Sequence, residues 1–234
     1  MRGNASGQRV IAVIPAYNEE ATVAEVIRSV REHVPNVLVV DDASCDQTAQ
    51  VAREAGAVVV SHVLNRGVGA ALRTGYRYAL EHGFGVIVQI DADGQHDPRY
   101  IPELLQALNG GCDVVIGSRF LNESHREHGW VRRVGIRFFT WVGNRLGGTN
   151  LTDITSGYRA YRAEALKRLG RLPDRHWAVE QTLEAARKGL KIKEISVKMP
   201  ARRRGKSQFT LSTFLGYPLR MLDSILRVLL FRRS

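Results

Sequence analysis

Cysteine is nearly absent: two residues, Cys45 and Cys112, stand far apart in 234. That excludes a disulfide-stapled fold and a cysteine zinc site, and reduced thiols in the cytosol are the expectation. Residues 1–8 are polar and hold no apolar core, so no signal peptide is expected. A long uncharged apolar run is missing too. The best stretch, 213–233, would measure roughly 31 Å as a helix, but Pro218, Arg220, Asp223 and Arg227 interrupt it. Three central charges would cost about 2.5–3.5 kcal/mol each, or about 8–10 kcal/mol together, so crossing a bilayer is not expected. Acids are short against bases. The net charge is +11, and residues 200–234 hold eight Lys or Arg against the single acid Asp223. A terminus this basic faces an anionic partner. Its arginines do not alternate with stacking aromatics, so nucleic acid is not the expected partner. Finally, no glycine-rich phosphate loop follows the first apolar run; Pro15-Ala16-Tyr17 stands there, which argues against a sugar-1-phosphate nucleotidyltransferase.

What is present is an alternation. Apolar runs at 10–14, 37–40, 57–61, 85–90 and 113–116 read as strands. Between them lie helical patterns: one opened by Thr22-x-x-Glu25, which fits a capping box, then 44–56, 67–82 and a helix from Pro98 to about residue 109. A further helix is read over 130–146. The pattern predicts an α/β fold: one domain, with a mostly parallel central sheet flanked by helices. Chemistry is expected at the carboxyl ends of the strands. On residues 213–233, Thr213, Gly216, Arg220, Asp223, Ser224 and Arg227 share a narrow face beside a broad apolar one. That is the pattern of a helix lying in a membrane interface. The expected division is 1–209 for the catalytic domain and 210–234 for this surface helix.

One strand end is the most pointed. Ile87-Val-Gln-Ile90 stops at Asp91-x-Asp93-Gly94-Gln95. Leaving the extended form there lets both carboxylates converge on one point. Two close anions repel, and a divalent cation removes that cost. All-oxygen ligands suit Mg²⁺ or Mn²⁺, whose remaining ligands are commonly phosphates.

Three stretches in this order carry a resemblance: Pro15-Ala16-Tyr17-Asn18-Glu19, Asp41-Asp42-x-Ser44-x-Asp46-x-Thr48, and Asp91-x-Asp93-Gly94-Gln95-x-Asp97-Pro98. The chain resembles inverting family-2 glycosyltransferases of the Rossmann-like GT-A fold. More narrowly, it is similar to their polyprenyl-phosphate branch, which includes dolichol-phosphate mannose synthases; residues 10 to about 207 carry the match. The resemblance implies that Pro15, Ala16, Tyr17, Glu19, Asp42 and Gly69 line the donor nucleotide site, with Asp42 on the nucleobase edge. It implies a metal held by Asp91, Asp93 and Gln95, with Asp91 also facing the donor. His96 reads as a turn residue.

Gly117-Ser118-Arg119, the Arg132-Arg133-Arg137 cluster and Asp153-x-Thr155-Ser156-Gly157-Tyr158-Arg159 resemble the acceptor side. Arg119, Arg132 and Arg159 are implied as acceptor-phosphate groups; Asp91, Asp93, Arg119 and Arg159 form the expected catalytic set. Arg132 and Arg133 both remain open. Ile136 stands where relatives have a serine. Arg202-x-x-Gly205-x-Ser207 resembles a loop that closes over the donor phosphates, with Gln208 in place of the usual lysine.

The function implied is transfer of a hexose, with inversion, from a nucleotide sugar to a polyprenyl phosphate, dolichyl or undecaprenyl, at the cytoplasmic face of a membrane as a peripheral protein. GDP-mannose leads by family and UDP-glucose follows. Relatives that have only a catalytic domain include some that work with a separate membrane subunit, so such a partner is possible. The alternative is a family-2 enzyme acting on a glycan hydroxyl, with Glu180 or Asp153 as base.

Overall fold

The computed structural model describes residues 7–121, 130–170 and 177–199. Arg202 and the expected surface helix at 210–234 lie outside these. Among the described residues, seven strands form one sheet in the order β3-β2-β1-β4-β6-β5-β7. They are β1 (Val10–Ala16), β2 (Asn36–Asp41), β3 (Val58–Ser61), β4 (Val86–Gln89), β5 (Val114–Ser118), β6 (Arg159–Arg162) and β7 (Ile192–Ser196). β1 pairs in parallel with β2 and β4, β2 with β3, and β5 with β7, whereas β6 runs against both β4 and β5. Six strands therefore share one direction. The Val- and Ile-rich central strands are buried on both faces, as a covered parallel sheet requires.

Helices cover both faces. On one side Val13, Leu38, Val40 and Ile87 pack with Leu72 and Tyr76 of α3 (Val68–Glu81), Phe139 of α5 (Trp130–Gly147), Leu166 of α6 (Ala163–Arg168) and Leu183 of α7 (Trp177–Arg187). On the other, Ala12, Ile14, Val37 and Val39 pack with α1 (Val23–Arg31), with Ala52 of α2 (Thr48–Glu54) and with Leu104 and Leu108 of α4 (Ile101–Asn109). The spacing of Val23, Val26, Ile27 and Val30 puts all four on the buried face of α1. Each contributes roughly 1.5–3 kcal/mol by leaving water. Gly75 lets α3 sit close on the sheet: a Cβ there would lie 2.3 Å from Val13 Cγ1.

Two local expectations differ. The capping box does not form, because the Thr22 hydroxyl turns back to the Glu19 carbonyl (3.4 Å) and Glu19 Oε2 (3.2 Å). α2 begins at Thr48 instead of residue 44, since 44–47 is tied to the loop after β1. The shared strand direction brings Ala16, Asp41, Gln89 and Ser118 to one edge of the sheet. β6 enters at that same edge, with Arg159 opposite Gln89.

Candidate active site

The loops after β1 and β2 hold each other. Asn18 N–H donates to Ser44 Oγ (2.9 Å), Glu19 N–H to Thr48 Oγ1 (2.8 Å) and Glu20 N–H to Asp46 Oδ2 (3.2 Å). In return, Cys45 N–H donates to Asn18 Oδ1 (2.8 Å) and Gln47 N–H to Glu20 Oε2 (3.0 Å). The Ser44, Asp46 and Thr48 spacing is thereby explained by backbone satisfaction. Asn18 and Ala43 carry left-handed backbone, φ 55° and 61°; Asn tolerates this, and Ala43 holds real strain beside Asp42. Pro15 and Ala16 end β1 inside the sheet, and Tyr17 and Glu19 stand half-buried above them.

Asp42 is buried at this edge. Its carboxylate accepts N–H bonds from Arg66 (3.1 Å to each oxygen) and Gly67 (2.6 Å), and Oδ1 meets His62 Nδ1 at 2.6 Å. His62 Nε2 continues to Thr74 Oγ1 at 2.9 Å. Asp42 therefore ties the 62–67 segment and the start of α3, including buried Gly69, to the end of β2. His62 escapes sequence reasoning because its partners come from the residue after β2 and from α3, 20 and 12 residues away.

The Asp91–Gln95 turn lies between this shelf and the loop that enters β6. Gly94 takes φ 73°, and Gln95 N–H donates to Asp93 Oδ1 (3.0 Å). Asp91, Asp93 and Gln95 are three oxygen-bearing side chains of the kind hard cations take. Among the described residues, no three His, Cys, Asp or Glu side chains gather into a full cation cage. Two carboxylates and an amide fit a Mg²⁺- or Mn²⁺-type ion that takes phosphate oxygens as well. His96, read as a turn residue, is buried beneath Asp91: its Nδ1 accepts the Asp91 N–H (3.1 Å).

On the far side, Arg119 makes a two-pronged pair with Asp153, Nε to Oδ2 at 2.6 Å and Nη2 to Oδ1 at 2.8 Å, and also donates to Thr155 Oγ1 (2.8 Å). Both partners are buried. Burial alone would raise the Asp153 carboxyl, but the Arg119 guanidinium and the Thr155 hydroxyl more than offset it and hold it below the usual value. A carboxylate so engaged is poorly suited to take a proton from a sugar hydroxyl. Glu194 of β7 fixes the same loop by accepting from Thr152 N–H (2.7 Å) and Asp153 N–H (2.8 Å); burial raises its carboxyl.

Arg159 is fully buried. It donates to the carbonyls of Ser156 (2.7 Å), Ile154 (2.8 Å) and Ala178 (3.1 Å), beneath the Trp177 ring. Its charge thus holds the 154–156 turn and the start of α7. Glu180 is buried on α7. Arg132 lies in the first turn of α5, and its side chain is outside the described set. Farther along α5, Val134 (58% exposed), Phe138 (55%) and Trp141 (64%) line one outward stripe with Arg137. Among the described residues no helix is long and apolar enough to cross a membrane.

This layout has known counterparts. The glycosyl transferase family 2 profile matches residues 11–170, which spans the whole edge from β1 to β6. The chain belongs to glycosyl transferase family 2. This glycosyltransferase is 38% identical over 217 residues to an undecaprenyl-phosphate mannosyltransferase of Micrococcus luteus, covering 86% of this chain and 88% of that one. It is 33% identical over 216 residues to a polyprenol monophosphomannose synthase of Mycolicibacterium smegmatis, covering 87% and 82%. Among solved structures, glucosyl-3-phosphoglycerate synthase of Mycobacterium tuberculosis, in complex with Mn²⁺, UDP and phosphoglyceric acid, superposes with a TM-score of 0.77 at 22% identity, over 98% of this chain and 81% of that one. At that identity the likeness confirms the GT-A fold.

Proposed function

We propose that this glycosyltransferase moves one hexose from a nucleotide sugar to a polyprenyl phosphate, with inversion at C1, mannose from GDP-mannose ahead of glucose from UDP-glucose. The observation that carries the reading is the position of the Asp91–Gln95 turn, between the stitched loops after β1 and β2 and the Arg119–Asp153 loop, on one sheet edge. The names of the Micrococcus and Mycolicibacterium relatives support the lipid acceptor and the mannose.

In this reading Pro15, Ala16, Tyr17, Glu19 and Gly69 wall the nucleoside, while Asp42 holds the 62–67 segment in place around it. Asp91, Asp93 and Gln95 hold Mg²⁺ or Mn²⁺, which when bound neutralises charge on the diphosphate leaving group. Arg202 closes over the donor phosphates. Arg132 meets the acceptor phosphate, and Arg119 and Arg159 shape and charge that side from within. An acceptor oxygen attacks C1 as the bond to the nucleoside diphosphate breaks. That phosphate oxygen is already ionised near neutral pH, so no strong base is needed. The engaged state of Asp153 is consistent with this. Positioning and charge stabilisation supply most of the rate.

The Val134–Phe138–Trp141 stripe supports peripheral docking on the cytoplasmic leaflet, where the acceptor's lipid tail resides. A separate membrane subunit remains a partner to seek by co-purification. The test is label transfer from GDP-mannose and UDP-glucose, in parallel, to undecaprenyl and dolichyl phosphate in liposomes, with Mn²⁺, Mg²⁺ or chelator. Metal-dependent label in the organic phase from one donor is the expected result. Donor binding with no lipid product under any condition, including with co-purified membrane proteins added back, would overturn the proposal.

A further inference from the structure

We infer that His96 is a positioning residue for Asp91, holding that carboxylate ready for the cation. The inference rests on the reading of Asp91, Asp93 and Gln95 as the metal site. His96 is only 6% exposed although it follows a polar turn. Its Nδ1 accepts the backbone N–H of Asp91 at 3.1 Å. An acceptor at Nδ1 places the proton of a neutral ring on Nε2. Nε2 in turn faces Asp91 Oδ2 at 3.7 Å, too far for a direct hydrogen bond but close enough to orient a carboxylate. One ring thus grips the backbone of Asp91 and faces its side chain.

The ring is itself fixed. It stacks on Tyr158 with centroids 5.0 Å apart and planes 9° from parallel. Tyr158 is fully buried, and its hydroxyl donates to the Asp97 carbonyl (2.9 Å). The carboxylate meets Gly157 as well: a Cβ there would stand 3.2 Å from Asp91 Oδ2 and 3.5 Å from both Asp91 Oδ1 and His96 Cε1. Asp91 therefore lies against an imidazole edge and bare backbone. Both Gly157 and Tyr158 come from the segment that follows the Arg119–Asp153 pair. The geometry of the metal turn is thereby set by the acceptor-side segment. Groups behind a metal ligand commonly change affinity by about 10- to 100-fold when removed.

The test measures Mn²⁺ binding directly, from the free-ion electron paramagnetic resonance signal, with UDP or GDP present. The apo protein's thermal midpoint is recorded in parallel. His96→Leu keeps bulk against Tyr158 and removes both nitrogens; His96→Asn keeps an acceptor where Nδ1 stands. Gly157→Ala crowds the carboxylate without removing any contact. The expected result is Mn²⁺ binding weakened about tenfold in His96→Leu and within about threefold of wild type in His96→Asn. Gly157→Ala is expected to bind Mn²⁺ more weakly with a nearly unchanged apo midpoint. Wild-type affinity in His96→Leu would overturn the inference alone. If His96→Leu does not fold, wild-type affinity in His96→Phe, which keeps the stack on Tyr158 without either nitrogen, would overturn it instead. A wild-type protein that binds no Mn²⁺ with either nucleotide would overturn the metal-site reading, and this inference with it.

Discussion

Asp153→Asn isolates the buried pair that anchors the acceptor side. The substitution keeps shape and one oxygen acceptor but removes the counter-charge of Arg119, which meets Asp153 at 2.6 and 2.8 Å and is buried with it. Removing one partner of a buried pair leaves the other charge uncompensated and costs about 3–5 kcal/mol. For a chain of this size each kcal/mol moves the thermal midpoint roughly 2–4 °C, so the drop should be roughly 6–20 °C. Urea unfolding followed by circular dichroism gives the free energy. The pH dependence has a definite sign. The folded Asp153 carboxyl is held below its unfolded value of 3.8. Its contribution is therefore complete above that value and fades as pH falls below it through the folded value. The gap between wild type and variant should hold constant from pH 7 to about 4 and narrow only below. Replacing both partners, Arg119→Met with Asp153→Leu, should recover most of the loss, because neither charge of the pair then remains. A loss under about 1 kcal/mol at pH 7, or a gap already closing near pH 6, would refute the reasoning.

Other outcomes follow from single contacts. His62→Ala cuts the Asp42–His62–Thr74 chain; it should weaken nucleoside diphosphate binding about tenfold by calorimetry, for a loss of about 1.4 kcal/mol. Gly75→Val pushes α3 off Val13 and should cost about 1–3 kcal/mol by urea unfolding, with donor affinity in the surviving fold little changed. Phe138→Ser with Trp141→Ser removes the exposed stripe of α5. It should lower co-sedimentation with anionic liposomes severalfold while leaving UDP or GDP affinity intact.

The sheet was legible where strands were uninterrupted apolar runs. β1, β2 and β4 are valine- and isoleucine-rich runs, and those apolar runs placed them within two residues of the observed bounds. β6, Arg159–Arg162, and β7, Ile192–Ser196, carry charges within the run and draw their strand character from neighbours distant in sequence. Sequence periodicity gave no hold on either. Helix starts were less legible than helix faces. Thr22 and Ser44 have the residue types of caps, yet one hydroxyl turns back to Glu19 and the other accepts the Asn18 N–H.

In the site, the order of the motifs told which residues gather at one edge, since parallel strands end together. It did not tell which way each charge points. An arginine at a strand end reads as a phosphate group, whereas Arg119 pairs with Asp153 and Arg159 donates to three carbonyls inside the fold. His62 and His96 carried no motif signal of their own; their partners appear only when β2, α3 and the 156–158 turn are brought together. The stripe on α5 was hidden for a similar reason. Its outward face is defined by what Ile136 and Phe139 bury, and that needs the fold.

The most direct measurement is the mass of the lipid product formed from nucleotide sugar and polyprenyl phosphate, with fragmentation to count phosphates. The account predicts a hexosyl monophosphate lipid, released with one equivalent of nucleoside diphosphate. A lipid diphosphate sugar with nucleoside monophosphate released, or sugar found only on a glycan hydroxyl, would contradict it.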